Sequence, residues 1–221
     1  LKMGNYVPAD PGVYCGTGPA CMSGRSHICE TLGFVGEACD GGFAEHVQLP
    51  AKLLFKHEPT LAPKVAAMAE PLAVSLHAVR RLALPAGEPV LVIGCGTIGG
   101  LSALLLSRLH DGPLLLADLN ASRLALVEDL TGGHRVALEQ ASISAALGDR
   151  RLRYALDATG SGQAIRAGLD LLAGGGAFAL VGISHGRIDL DPNLLVEREI
   201  GLLGCHAFNE ELPEAVSLLP T

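Results

Sequence analysis

Val90-Leu91-Val92-Ile93-Gly94-Cys95-Gly96-Thr97-Ile98-Gly99 decides how this chain is read. Four consecutive apolar residues suit a strand buried on both faces, and a Gly-x-Gly-x-x-Gly turn ends it. The apolar run then continues, and its spacing predicts a helix over residues 99–109. A glycine triplet in that strand–turn–helix setting suits a pyrophosphate. Gly94 permits the tight turn, Gly96 lets backbone approach the phosphates, and Gly99 lets the helix pack on the strand. The N–H groups opening the helix, around Thr97 and Ile98, offer positive potential to the anion.

Working outward, Asp118 stands 19 residues after Gly99, at the end of a second predicted strand over Leu114–Ala117. A carboxylate there accepts the hydroxyls of an adenosine ribose and repels a 2′-phosphate, which implies NAD rather than NADP. Arg123 either covers that ribose or is a solvated helix residue. Strands and helices keep alternating: a helix over 121–130, a weak strand near 135–137, a weak helix over 141–147, then a strand, helix and strand over 154–158, 163–172 and 177–181. A last short strand is expected over 200–203. This rhythm calls for a parallel sheet covered on both faces.

Toward the N-terminus, apolar residues recur at three and four over 64–83, a helical spacing, until the segment around Pro85 and Pro89 breaks it. Residues 1–60 are rich in Gly, Pro and Cys, with short apolar runs such as His46-Val47-Gln48-Leu49 that suit short strands. The stretch 90–107 carries no charge and has the length of a membrane span. Its four glycines make it a strand, turn and helix instead, so no membrane association is expected.

Composition limits the function classes. Lys+Arg number 16 and Asp+Glu 23, a net charge of −7, with no basic run, so nucleic-acid binding is not expected. Aromatics are only 4%, too few for base-stacking platforms. Hydrophobic residues at 49% supply a core. No secretory leader is evident, so the six cysteines read as reduced thiols or metal ligands in a cytoplasmic protein. Cys15, Cys21 and Cys29 lie close in a Gly-rich segment and suit either zinc or three free thiols. His27 is a nearby fourth candidate. Single histidines at 46, 57, 77, 185 and 206 receive no catalytic role. Glu197, Arg198 and Glu199 read as a solvated turn.

Further stretches carry a family resemblance. They are Lys2-Met3-Gly4-Asn5-Tyr6-Val7, Gly41-Gly42-Phe43-Ala44-Glu45-His46-Val47, Glu70-Pro71-Leu72-Ala73-Val74, Asp157-Ala158-Thr159-Gly160, Val181-Gly182-Ile183 and Gly204-Cys205-His206-Ala207-Phe208. With the glycine turn, they resemble the zinc-containing medium-chain dehydrogenases, in the polyol (sorbitol) and threonine dehydrogenase branch. The resemblance implies a Rossmann doubly wound α/β sheet plus an incomplete GroES-like, β-rich catalytic domain. It implies a GroES-like part over 1–66, a cofactor domain over 67–204 and a return into the first part over 205–221.

The implied activity is NAD-dependent oxidation of a secondary alcohol (a polyol, cyclitol or amino alcohol) to a ketone by zinc-assisted hydride transfer. Thr159, Val181, Gly182, Ile183 and Ala207 would line the cofactor. Cys15, Cys21 and Cys29 fall on three of four structural-zinc positions, and Gly18 stands at the other. Glu70 falls on an acidic catalytic-zinc position, although an acid opening a helix before Pro71 reads equally as a favourable charge near its N-terminus. The other catalytic ligands would precede Leu1, so the chain is expected to be truncated at both ends. The alternative is a catalytically inactive NAD-binding remnant. A homo-oligomer is implied by the resemblance alone.

Overall fold

The structure, a computed structural model, describes residues 1–184 and 186–219. His185 therefore lies outside the described residues. The chain divides into two compact units: residues 1–74 with 206–219, and residues 75–205.

The first unit has little regular structure. Strand β1 (Gly12–Val13) pairs antiparallel with β2 (Gly33–Phe34). Between them lies a four-residue helix, α1 (Pro19–Met22), with proline in its first turn. Short helix α2 (Pro63–Ala66) leads to α3 (Ala69–Arg81), which crosses the boundary between units. The helical spacing over 64–83 is thus realised as two helices. His46-Val47-Gln48-Leu49 does not form a strand: the segment is irregular, largely exposed and without a ladder partner among the described residues. Alternation alone does not make a strand where no neighbour supplies hydrogen bonds.

The second unit contains a parallel sheet. Its strands are β3 (Val90–Ile93), β4 (Leu114–Ala117), β5 (His134–Arg135), β6 (Tyr154–Asp157), β7 (Ala177–Leu180) and β8 (Gly201–Gly204). Their order is β5-β4-β3-β6-β7-β8, every pairing parallel. The helices between them are α4 (Thr97–Leu109), α5 (Ala121–Thr131), α6 (Gln140–Leu147), α7 (Gly162–Leu171) and α8 (Pro192–Arg198); α9 (Leu212–Leu218) closes the chain in the first unit. Helix α8 replaces the expected solvated turn at Glu197 and Arg198. Asp191 caps it through its side chain, Pro192 starts it, and only Glu199 lies beyond, with φ +50.

The central strands are apolar throughout because both faces are covered. Successive residues of β3 enter opposite cores. Leu91 and Ile93 pack with Leu115, Ile165, Leu169 and Phe178, while Val90 and Val92 pack with Leu82, Leu106, Leu116 and Val127. The uncharged stretch 90–107 becomes β3, a turn and most of α4; no helix among the described residues is long and apolar enough to cross a membrane.

Candidate functional site

The strand order reverses between β3 and β6, which sends the chain outward in opposite directions from adjacent strands. Ligands of such sheets bind in the crevice at the carboxyl ends of those strands. Three turns meet there, after β3, β6 and β7. A Cβ on Gly94 (φ +94) would lie 2.7 Å from Thr159 Cγ2. One on Gly99 would lie 1.7 Å from the Gly94 carbonyl oxygen, and one on Gly182 only 2.2 Å from the Gly160 nitrogen. Glycine is required at 99 and 182, where backbone meets backbone this closely, and at 94 by its positive φ.

Gly96 differs. A Cβ there would meet nothing within 4 Å, so the absent side chain leaves open space. Gly96 is also the N-cap of α4 and provides no side-chain cap, whereas Asn120, Ser161 and Asp191 cap α5, α7 and α8. The first N–H groups of α4 are therefore unspent by a capping side chain and available to an anion. Thr97 is exposed and Ile98 half-buried; the Ile98 carbonyl accepts from buried Ser75 Oγ at 3.1 Å, which fixes α4 to the C-terminal half of α3.

Asp118 reaches the same turn. Its Oδ2 accepts the Cys95 N–H at 2.5 Å, and its Oδ1 accepts the Asn120 N–H at 2.6 Å. Cys95 is a buried filler whose thiol burial, and then the Asp118 charge, push up to about 11. Arg123 is exposed on the first turn of α5. Asp157, quoted in sequence only as part of the Asp157–Gly160 stretch, has a role that the sequence reading did not assign. Its carboxylate is fully buried and accepts from Thr159 Oγ1 at 2.5 Å, Thr159 N at 3.2 Å and Gly160 N at 2.9 Å. It thereby shapes the turn presenting Thr159. The Asp-x-Thr-Gly order is a signal for this, since Asp accepts from N–H groups two and three residues on.

Val181 and Gly182 are half-buried beside that turn, and their N–H groups both donate to the Asp157 carbonyl. Ile183 is 82% exposed. Ala207 belongs to the first unit, with φ +47. The structure thus gathers Gly94, Gly96, Thr97, Ile98, Gly99, Asp118, Thr159, Val181, Gly182 and Ile183 along one edge of one sheet. A cavity of about 620 Å³ lies at the other edge, around Arg150, Arg151 and Arg198, in loops that precede the strands.

In the first unit, Cys15, Cys21 and Cys29 bring their sulfurs within 4.8 Å of one another. Cys15 Sγ lies 3.9 Å from Cys21 Sγ and 3.5 Å from Cys29 Sγ. Sulfurs bound at about 2.3 Å to one tetrahedral zinc stand roughly 3.8 Å apart, so the three fit that ion. Backbone N–H groups of Thr17 and Gly18, with the Cys29 thiol, lower the Cys15 pKa to about 6. Cys29 is lowered by Thr31, while desolvation raises Cys21. The His27 ring is outside the cluster.

Glu70 opens α3, half-buried; burial, and then the charge of Asp10, raise its pKa. Among the described residues no group of three ligating side chains includes it, so these residues do not fit a catalytic zinc. His57 is buried and its Nδ1 donates to the Glu58 carbonyl at 2.8 Å, and His206 stacks edge-on near Phe34.

Known proteins match both units. The family described as zinc-binding dehydrogenase matches residues 100–221, and the alcohol dehydrogenase GroES-like domain matches residues 1–59. The chain is 35% identical over 230 aligned positions to D-altritol 5-dehydrogenase of Agrobacterium fabrum, covering 100% of this chain and 66% of that protein. It is 32% identical to L-galactonate-5-dehydrogenase of Escherichia coli, covering 92% and 61%. A zinc-binding dehydrogenase of Sinorhizobium meliloti, solved bound to NADP, superposes with a TM-score of 0.90 at 27% identity, covering 99% of this chain and 66% of that one. The chain spans just under two thirds of the length of these relatives. It is a member of the zinc-binding dehydrogenase family, with a Rossmann-type parallel sheet and a GroES-like N-terminal part.

Proposed function

We propose that this chain carries the cofactor half of an NAD-dependent dehydrogenase that oxidises a secondary alcohol, of the polyol, cyclitol or amino-alcohol class, to a ketone. One observation supports this most: the interlocked turns at Gly94, Thr159 and Gly182 lie at the switch point of the sheet, with Asp118 hydrogen-bonded into the first of them. When bound, NAD supplies the acceptor for hydride from the carbinol carbon. Gly96 lets the pyrophosphate approach α4, whose first N–H groups meet its charge. Asp118 receives the ribose hydroxyls and disfavours a 2′-phosphate. Arg123 stands over the adenosine end. Thr159, Val181, Gly182 and Ile183 position the nicotinamide.

No chemical step is assigned to Glu70, because the described residues give it no companion ligands. A second reading for the chain by itself, in which it binds NAD without turning over alcohol, is separated from the first by one experiment. The decisive assay incubates the chain with zinc, NAD and a polyol panel including D-altritol and sorbitol, alongside an NADH binding titration. Polyol-dependent NADH formation supports the enzyme reading; NADH binding without turnover supports the second. Failure to bind either NADH or NADPH overturns both. The exposed edge strand β8, with Leu202 outward, suits a homo-oligomer.

A further inference from the structure

The cysteine cluster fills three corners of a tetrahedron and leaves the fourth to be found. Gly18 locates it. A Cβ built on Gly18 would lie 3.2 Å from Cys15 Sγ and 3.1 Å from Glu30 Oε2. One point, where a fourth side chain would start, is thus bordered by a sulfur of the cluster and by a carboxylate oxygen. Glu30 follows Cys29 directly in the chain, so the backbone that sets one corner also places this carboxylate beside Gly18. It is exposed and forms no ion pair among the described residues.

We propose that Glu30 is the fourth ligand of a three-sulfur, one-oxygen zinc site with Cys15, Cys21 and Cys29. The space Gly18 leaves open admits the carboxylate, and a larger residue there would meet it. The Glu30 oxygens are not within the mutually close set formed by the three sulfurs, so ligation requires its exposed side chain to turn toward them about its own torsions. A carboxylate is an accepted zinc donor at about 2.0–2.2 Å and carries the same unit charge as the thiolate it replaces. It is a harder donor, so the site holds zinc less selectively than four sulfurs would. This site belongs to the first unit and does not depend on the cofactor reading.

The test uses the reduced, metal-free chain titrated with cobalt(II), followed by zinc displacement. The expected result is one cobalt per chain, with tetrahedral visible bands and sulfur charge-transfer absorption of three thiolates. Glu30→Gln should weaken cobalt and zinc binding roughly tenfold or more, keep the three-thiolate charge transfer, and leave the metal-free melting temperature unchanged. Gly18→Cys should raise the charge-transfer intensity by about a third, one thiolate added to three, and make affinity insensitive to Glu30→Gln. Wild-type affinity and an unchanged spectrum in Glu30→Gln overturn the proposal, as does absence of cobalt binding in the parent chain.

Discussion

Asp118 Oδ2 and the Cys95 N–H lie 2.5 Å apart, joining the end of β4 to the centre of the glycine turn after β3. The carboxylate therefore holds the turn as well as offering itself to a ribose. Asp118→Ala should destabilise the chain by about 1.5–3 kcal/mol, since it removes a charged acceptor. The melting temperature should fall by about 2–4 °C per kcal/mol. The same variant should reduce the preference for NADH over NADPH. A wild-type melting temperature would show that the bond does not hold the turn.

Gly99 and Gly182 abut backbone atoms rather than side chains, so nothing nearby can swing away. Gly99→Ala and Gly182→Ala should each cost about 1–3 kcal/mol or more, with loss of soluble yield. Thermal melts of the purified variants decide this, and two wild-type transitions would contradict the close packing.

The Cys15 thiol titrates near pH 6 because Thr17 and Gly18 N–H groups favour its thiolate. In metal-free chain, its alkylation rate should rise with a midpoint near pH 6, far below an ordinary thiol. Its folded-state pKa is depressed, so its stabilising contribution is absent below about pH 6, grows as pH rises, and is complete near the unfolded value of 9.0. Mass-spectrometric alkylation profiles against pH would contradict this if Cys15 reacted with the pH dependence of an ordinary thiol.

Burial and then Asp10 raise the Glu70 pKa, the opposite sign. Ionising Glu70 costs stability as pH rises above its unfolded value of 4.5 and through the higher folded one. Glu70→Gln should therefore raise the melting temperature at pH 7 and do less at pH 4. An equal effect at both pH values would rule out the charge as its cause.

Much of the second unit is legible in sequence because its central strands are unbroken apolar runs. Val90–Ile93 and Leu114–Ala117 form with the bounds that pattern predicts. Helix α8 escaped because none of its residues is buried, leaving no apolar period; Asp191 before Pro192 was the available signal. Strand order was illegible because it is set by which apolar faces pack, a tertiary choice. The site followed the same division. Glycines with one physical task, such as Gly94 and Gly99, could be read from spacing. The burial of Asp157 and the approach of Glu30 to Gly18 depend on turns that no period encodes.

Gly96 provides the most direct test of the cofactor site, because its missing side chain faces open space and its backbone needs no positive φ. The measurement is calorimetric titration of NADH into wild-type chain and Gly96→Val, with melting curves of both. The account predicts saturable one-to-one binding to wild type. It predicts a loss of at least roughly tenfold in the variant, with the melting temperature within about 2 °C of wild type, since the added methyls meet only the ligand. Equal NADH affinity in the two proteins, or none in wild type, would contradict it.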